Sequence, residues 1–209
     1  MWKCLWLLHS KPLISLIGMD GAGKTTVSNQ IISILRKNHL RVQYVYGGRG
    51  RNNILPLQFI GRTYKKAGGK SSISSKKEPS SISWTFTFAA PIFALDQLLR
   101  YVFRILPLRK RNHLVITDRY STDILLMNKV PMGLKKMLFS LFPRPTRIIY
   151  LYNEPEVLAA RKGNHPIMDL RRQERLFENI EPLLQPRKIK SEGIDRTVDE
   201  VLRDIFDVF

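Results

Sequence analysis

Gly18, Met19, Asp20, Gly21, Ala22, Gly23, Lys24, Thr25 and Thr26 follow the apolar run Leu13 to Ile17 and carry the spacing GxxxxGK[ST] of a phosphate-binding loop. The glycines let the backbone take conformations closed to residues with a Cβ, so that successive N–H groups can converge on one anion. Lys24 can then reach the terminal phosphates of a bound triphosphate, and the Thr25 hydroxyl can ligate Mg²⁺. A helix predicted over Thr25 to about Lys37 would point its unsatisfied N–H groups and positive dipole end at the same phosphates. Gly18, Gly21, Ala22, Gly23, Lys24, Thr25 and Thr26 are thus the candidate ligands of ATP with Mg²⁺.

A loop of this kind must hang between a buried strand and a helix. Near-continuous apolar runs recur at Leu13 to Ile17, Val42 to Tyr46, His113 to Thr117 and Arg147 to Leu151, and a fifth short strand, more weakly signalled, is predicted near Arg187 to Lys190. Segments of helical periodicity separate them: Thr25 to Lys37, Ser83 to Leu106, Gly133 to Phe142, Pro155 to Lys162, Leu170 to Leu184 and Thr197 to Val208. This alternation predicts an α/β fold with a parallel sheet covered on both faces. Pro155 suits a first helical turn, with Asn153 or Glu154 as its cap.

With 209 residues the chain can form one domain that buries about 70% of its unfolded surface. Its single cysteine, Cys4, excludes an internal disulfide and points to a reducing, cytoplasmic setting. Residues 1–11 are too short and too poorly flanked for a signal peptide, and read as an extension. The longest nearly uncharged run, Pro79 to Leu95, stops at Asp96, short of the about 18 apolar residues of a spanning helix, so no transmembrane segment is expected. His9, His39, His113 and His165 fall in no metal-ligand spacing.

The formal charge is +18 and the pI near 10.3, which implies anionic partners. The excess concentrates in a basic insertion at about 47–81, where Arg49, Arg51, Arg62, Lys65, Lys66, Lys70, Lys76 and Lys77 face only Glu78. This segment can be a solvated loop, a docking surface for nucleic acid or an anionic membrane, or a steering field for phosphorylated substrates. It holds no base-reading motif.

Two further segments narrow the reading. VITDRY (Val115 to Tyr120) closes an apolar strand in Asp118 and Arg119, and FALDQ (Phe93 to Gln97) lies on the preceding helix. With GMDGAGKTT they resemble the thymidylate kinase family, whose pattern is a DGxGK[ST]T loop, an F-A-[LA]-D-R helix and a D-R-[YW] strand end. YLYNEPEVLAARKG (Tyr150 to Gly163) and GIDRTVDEVLRDI (Gly193 to Ile205) are similar to that family's approach to its lid and its C-terminal helix. The resemblance covers residues 12–209 and implies a three-layer P-loop NTPase fold with a five-stranded parallel sheet and a lid at about 161–175.

It also implies site roles. Asp118 would hold Mg²⁺ or its waters, and Arg119 would clamp the acceptor's phosphate. Asp20 would point toward the acceptor's sugar and Phe93 would stack on its base. The lid carries Arg161, Lys162, Arg171, Arg172 and Arg175. Because Gly21 stands where some members place an arginine, Arg161 becomes the first candidate for the transition-state cation, with Arg171 and Arg172 behind it.

The acceptor half departs from the pattern. Gln97 replaces the thymine-reading arginine; Asp123, Ile124 and Met127 follow the DRY element; and Tyr46 to Arg51 stand in place of EPGG. Two enzymatic readings follow: a kinase for dTMP or a related monophosphate, and a kinase for a sugar or lipid-linked hydroxyl, for which Asp20 or Asp123 would serve as base. A third reading is an NTPase that binds ATP without a small acceptor. A homodimer is compatible with the helix at Ser83 to Leu106, apolar on more than one face.

Overall fold

Five strands align in parallel in the order β2, β3, β1, β4, β5. They are β1 (Leu13–Gly18), β2 (Val42–Tyr46), β3 (Leu114–Asp118), β4 (Arg147–Tyr152) and β5 (Arg187–Lys190). The structure, a computed structural model, describes residues 12–48, 53–55, 84–111, 113–127, 129–162 and 166–207. The predicted extension at 1–11, most of the predicted basic insertion and residues 163–165 of the predicted lid lie outside the described residues.

Around the sheet pack α1 (Lys24–Lys37), α2 (Trp84–Arg100), α3 (Leu106–Lys110), α4 (Thr122–Leu125), α5 (Met132–Ser140), α6 (Pro155–Lys162), α7 (Ile167–Leu184) and α8 (Ile194–Phe206). Register pairs Leu13 with Val115 and Ile14 with Ile116. Since successive strand residues point to opposite faces, these pairs separate two cores. Ile14, Leu16, Leu114 and Ile116 pack with α1, α7 and α8, whereas Leu13 and Val115 pack with α2, α4 and α5. Both faces are therefore covered, and β1 is wholly buried.

Between α2 and α3 the chain makes a π turn, Tyr101–Ile105, and continues as one rod. Pro107 follows this turn; its ring would press on the carbonyl of Phe103 in a regular α turn, and the wider turn relieves that clash. Among the described residues, Phe86–Lys110 is the one helical stretch long and apolar enough to cross a bilayer by length and composition. The uncharged run in the sequence ends at Asp96, but the helix passes through that residue, whose charge is buried and matched. Arg100 pairs with Asp96, donating from Nε at 2.8 Å, and also donates to Gly48 O at 2.9 Å. Asp96 in turn accepts from the Ile54 and Leu55 amides at 2.8 Å each. This clasp ties α2 to the chain beyond β2.

Candidate functional site

The carboxyl ends of β1 and β3, adjacent in the sheet, bring the loop at 18–25 beside Asp118 and Arg119. Gly23 caps α1 in the left-handed region at φ 80°, where a side chain would be strained. Its turn starts the helix at Lys24, one residue before the predicted boundary.

Lys24 is buried and donates from Nζ to Gly18 O at 3.0 Å and Met19 O at 2.8 Å. Desolvation, reinforced by the nearby Arg119 charge, lowers its pKa to about 8. The loop thus closes on its own lysine. Thr25 Oγ1 donates to Asp118 Oδ2 at 3.1 Å, and Tyr44 OH donates to the same oxygen at 3.3 Å. Burial first, and then the Asp118 charge, push the Tyr44 hydroxyl up to about 12, so it stays a donor. The other Asp118 oxygen, Oδ1, is buried without a hydrogen-bond partner. A buried carboxylate oxygen left over beside a threonine hydroxyl fits a hard divalent cation such as Mg²⁺, which takes few protein ligands and keeps its waters.

Arg119 leaves β3 at φ 58°, an uncommon conformation for a residue with a side chain. The neighbouring chain accommodates it: a Cβ on Gly47 would stand 2.2 Å from Arg119 O, so only glycine fits after β2. The guanidinium pairs with Asp20 and lies 4.0 Å from Asp123. Burial alone would lower its pKa, but Asp123 and Asp20 outweigh that and raise it. The result is a cation held between two carboxylates at the edge of the loop.

Asp20 has a second tie that crosses from α7. Its amide donates to Gln173 Oε1 at 3.0 Å, and Gln173 Nε2 donates to Asp20 Oδ2 at 3.4 Å. Gln173 and Tyr44 belong to no motif in the sequence. A glutamine among the lid arginines and a tyrosine in an apolar strand carry no local signal, and only the chain's return to the loop gives them a role.

The arginines of the candidate lid are dispersed. Arg161 donates to Ser191 Oγ at 3.0 Å and Ser191 O at 2.7 Å, on the loop after β5. That loop borders the cradle, since a Cβ on Gly23 would come within 3.9 Å of Ser191 Oγ. Arg171 pairs with Glu156 at 2.9 Å on the exposed surface, and Arg172 and Arg175 are exposed on α7.

On the acceptor side Gln97 is buried and donates from Nε2 to Gly47 O at 3.1 Å, while its Oε1 has no hydrogen-bond partner. Tyr120 OH is likewise buried and unpaired. These atoms belong to residues lining a small pocket with Tyr46, Gly47, Ser121 and Phe142. Phe93 is partly buried against the core beside it. Ile124 and Met127 are 1% and 0% exposed and fill that core, so they cannot read a substrate. Asp123 is buried and faces Arg119. Among the described residues there is no cluster of three or more His, Cys, Asp and Glu suited to a metal.

No protein-family model matches this chain, and no curated protein does. The functional reading therefore rests on the geometry and on the motif resemblance.

Proposed function

We propose that the protein has a P-loop NTPase fold and is an ATP- and Mg²⁺-dependent phosphotransferase similar to thymidylate kinases, acting on a nucleoside monophosphate. The observation that carries this reading is the junction of Asp20, Arg119 and the Thr25 to Asp118 hydrogen bond, which sets a half-buried cation clamp against the candidate donor loop. A monophosphate already ionised near pH 7 needs no general base, and the chain need only position and neutralise.

In this reading Lys24 exchanges the carbonyls of Gly18 and Met19 for phosphate oxygens, and the amides of residues 18–26 hold the triphosphate. Thr25 and Asp118 would hold Mg²⁺, which when bound neutralises charge on the transferring group. Arg119 releases Asp20 and takes the acceptor's phosphate in a bidentate grip. Asp20, freed from that pair, can accept from a sugar hydroxyl. Closure of α6 and α7 over the loop would exclude water as a competing acceptor. Arg161, sitting beside the cradle on Ser191, would shift toward the moving phosphoryl group as the lid closes.

A hydroxyl acceptor is a second reading favoured by one observation: Asp20 and Asp123 both face Arg119, so a carboxylate stands where such a substrate would need a base. A panel of monophosphates, sugars and polyprenols with Mg-ATP, scored for ADP and phosphorylated product, decides between them, with Lys24→Ala as control. Transfer to dTMP or a relative supports the first reading. ADP release with no phosphorylated acceptor would replace both with an NTPase.

A further inference from the structure

Arg119 carries its guanidinium on a backbone turn, φ 58°, that residues with a side chain rarely adopt. Such a turn persists only where its surroundings over-determine it. Both peptide groups that flank Arg119 are held. The one before it donates the Arg119 N–H to Leu16 O at 3.1 Å, and its carbonyl, Asp118 O, accepts from the Gly47 amide at 2.8 Å. The one after it lies against Gly47, whose α-carbon has no room for a Cβ beside Arg119 O. Gly47 thus touches the turn on both of its peptide groups.

β2 ends at Tyr46, so the two glycines that follow need an anchor outside the strand, and α2 supplies it. Gln97 Nε2 donates to Gly47 O at 3.1 Å, and Arg100 Nη1 donates to Gly48 O at 2.9 Å. Successive carbonyls are therefore gripped from one face of one helix. Arg100 is itself locked. Buried Asp96 accepts from its Nε at 2.8 Å, and Asn53 Oδ1 accepts from its Nη2 at 3.0 Å. The planar fork serves a carboxylate, an amide oxygen and a backbone carbonyl at once, which the compact ammonium of a lysine cannot do from the same place.

We propose that Arg100 and Gln97 are positioning residues for the acceptor: through Gly47 and Gly48 they set the turn at Arg119 and so the direction of its guanidinium. This rests on the reading of Arg119 as the clamp for the acceptor's phosphate. Asp20 and Asp123 face the guanidinium at its far end, whereas the glycines brace its backbone, so the two sets of contacts fix different parts of one side chain. A fork that delivers two parallel N–H bonds to a phosphate depends on the plane in which it is presented, and a small tilt of the turn costs grip before it costs fold. Replacing a buried ion pair by apolar residues is often neutral for stability, so the Asp96 to Arg100 pair is explained better by what it orients than by what it stabilises.

The test uses two variants of the full chain. Arg100→Lys keeps a cation against Asp96 and gives up the tie to Gly48; Gln97→Met keeps the volume and gives up the tie to Gly47. In the protein without substrates, hydrogen exchange at the Gly47 and Arg119 amides is expected to quicken about 10-fold or more in both variants, with the amides of β4 unchanged. In steady-state assays KM for the acceptor should rise about 10-fold in Arg100→Lys while KM for ATP stays within about twofold. Because the effect passes through Arg119, adding Arg100→Lys to Arg119→Lys should raise the acceptor KM by less than about threefold more. A merely structural pair would speed exchange throughout the sheet and shift neither KM selectively, and that result overturns the proposal. So does an effect of Arg100→Lys undiminished in the Arg119→Lys background, which would give Arg100 a role apart from the clamp. If the parent phosphorylates no acceptor, the kinase reading falls, and the exchange rates still decide for or against the positioning role. Should Arg100→Lys fail to fold in thermal melts, exchange in Gln97→Met decides.

Discussion

The two sides of the site handle their buried polar groups differently. At the loop, each charged side chain has a partner within the protein: Lys24 holds two carbonyls, Arg119 holds Asp20, and Thr25 and Tyr44 hold one oxygen of Asp118. In the pocket beside Gln97, two neutral atoms, Gln97 Oε1 and Tyr120 OH, are left without one. The difference follows from cost. An unpaired buried charge is far more unfavourable than an unpaired buried amide or hydroxyl, so charged ligand-binding groups must be matched by exchangeable partners before the ligand arrives. Neutral readers can wait unpaired. Asp118 Oδ1 is the exception on the charged side, and its isolation is what supports the proposed cation there.

The largest break in this comparison is removal of the loop's cation. Lys24→Ala is expected to lower the rate of phosphoryl transfer about 10³-fold, because the interaction it supplies grows as charge moves to the transferring group. Steady-state ADP production measures it. Folding should survive, since Gly18 O and Met19 O can turn to water. Activity within about tenfold of the parent would mean that the lysine serves only to close the loop.

Arg119→Lys comes next. A lysine keeps the charge near Asp20 and Asp123 but loses the forked donor, so KM for the acceptor should rise about 30-fold or more while KM for ATP stays near its starting value. A matched change in both constants would show that Arg119 orders the loop and does not grip the acceptor.

The lowered pKa of Lys24 gives a pH test with a definite sign. Phosphate binding requires the charged lysine and raises its pKa, so the free protein must take up a proton wherever the lysine is neutral beforehand. Affinity for Mg-ATP should therefore be flat below its free value of about 8 and fall above it, by up to tenfold per pH unit. Calorimetry in buffers of different ionisation heat should show proton uptake approaching one near pH 9 in the parent and absent in Lys24→Ala. An affinity that rises with pH would contradict the lysine's role.

On the neutral side the effects are smaller. Tyr120→Phe keeps the ring contacts with Tyr101 and Phe142, whose centroids lie 6.1 Å away, and removes the unpaired hydroxyl. Stability should stay level or rise by about 1 kcal/mol in urea denaturation, since no hydrogen bond is lost. If the acceptor uses that hydroxyl, its KM rises in the same variant. A loss of stability above about 1 kcal/mol would show that the hydroxyl is bonded in solution.

These contrasts also explain how much the chain discloses in one dimension. The central strands Leu13–Gly18 and Leu114–Asp118 match their apolar runs, because buried parallel strands write a continuous hydrophobic signal, whereas the edge strand Arg187–Lys190 buries only Ile189 and writes a weak one. The loop, Asp118 and Arg119 are likewise legible, since the chemistry demands those residue types at fixed spacing. The helix at Ile167–Leu184 begins three residues before its periodicity does, at Pro166, which supplies the extended cap the pattern alone does not reveal. The short helix Thr122–Leu125 has too few residues to show a period. The tie of Arg161 to Ser191 has no signal in the sequence, because the partner lies thirty residues on.

Gln173 is the residue least visible in sequence, and it gives the smallest expected effect and the sharpest one. Gln173→Ala removes the acceptor of the Asp20 amide, a partly buried group that water can reach, so KM for the acceptor should change by less than about threefold. Gln173→Glu does more, despite keeping the shape. A carboxylate set against Asp20 destabilises both charges and competes for Arg119, which strengthens the clamp's internal pairing and opposes its release to the acceptor. KM for the acceptor should then rise more than in the alanine variant, and the rise should shrink below about pH 5 as the introduced glutamate protonates. If alanine and glutamate behave alike, the lid touches Asp20 without governing what Arg119 holds, and the coupling between lid and clamp must run through Arg161 and the cradle instead.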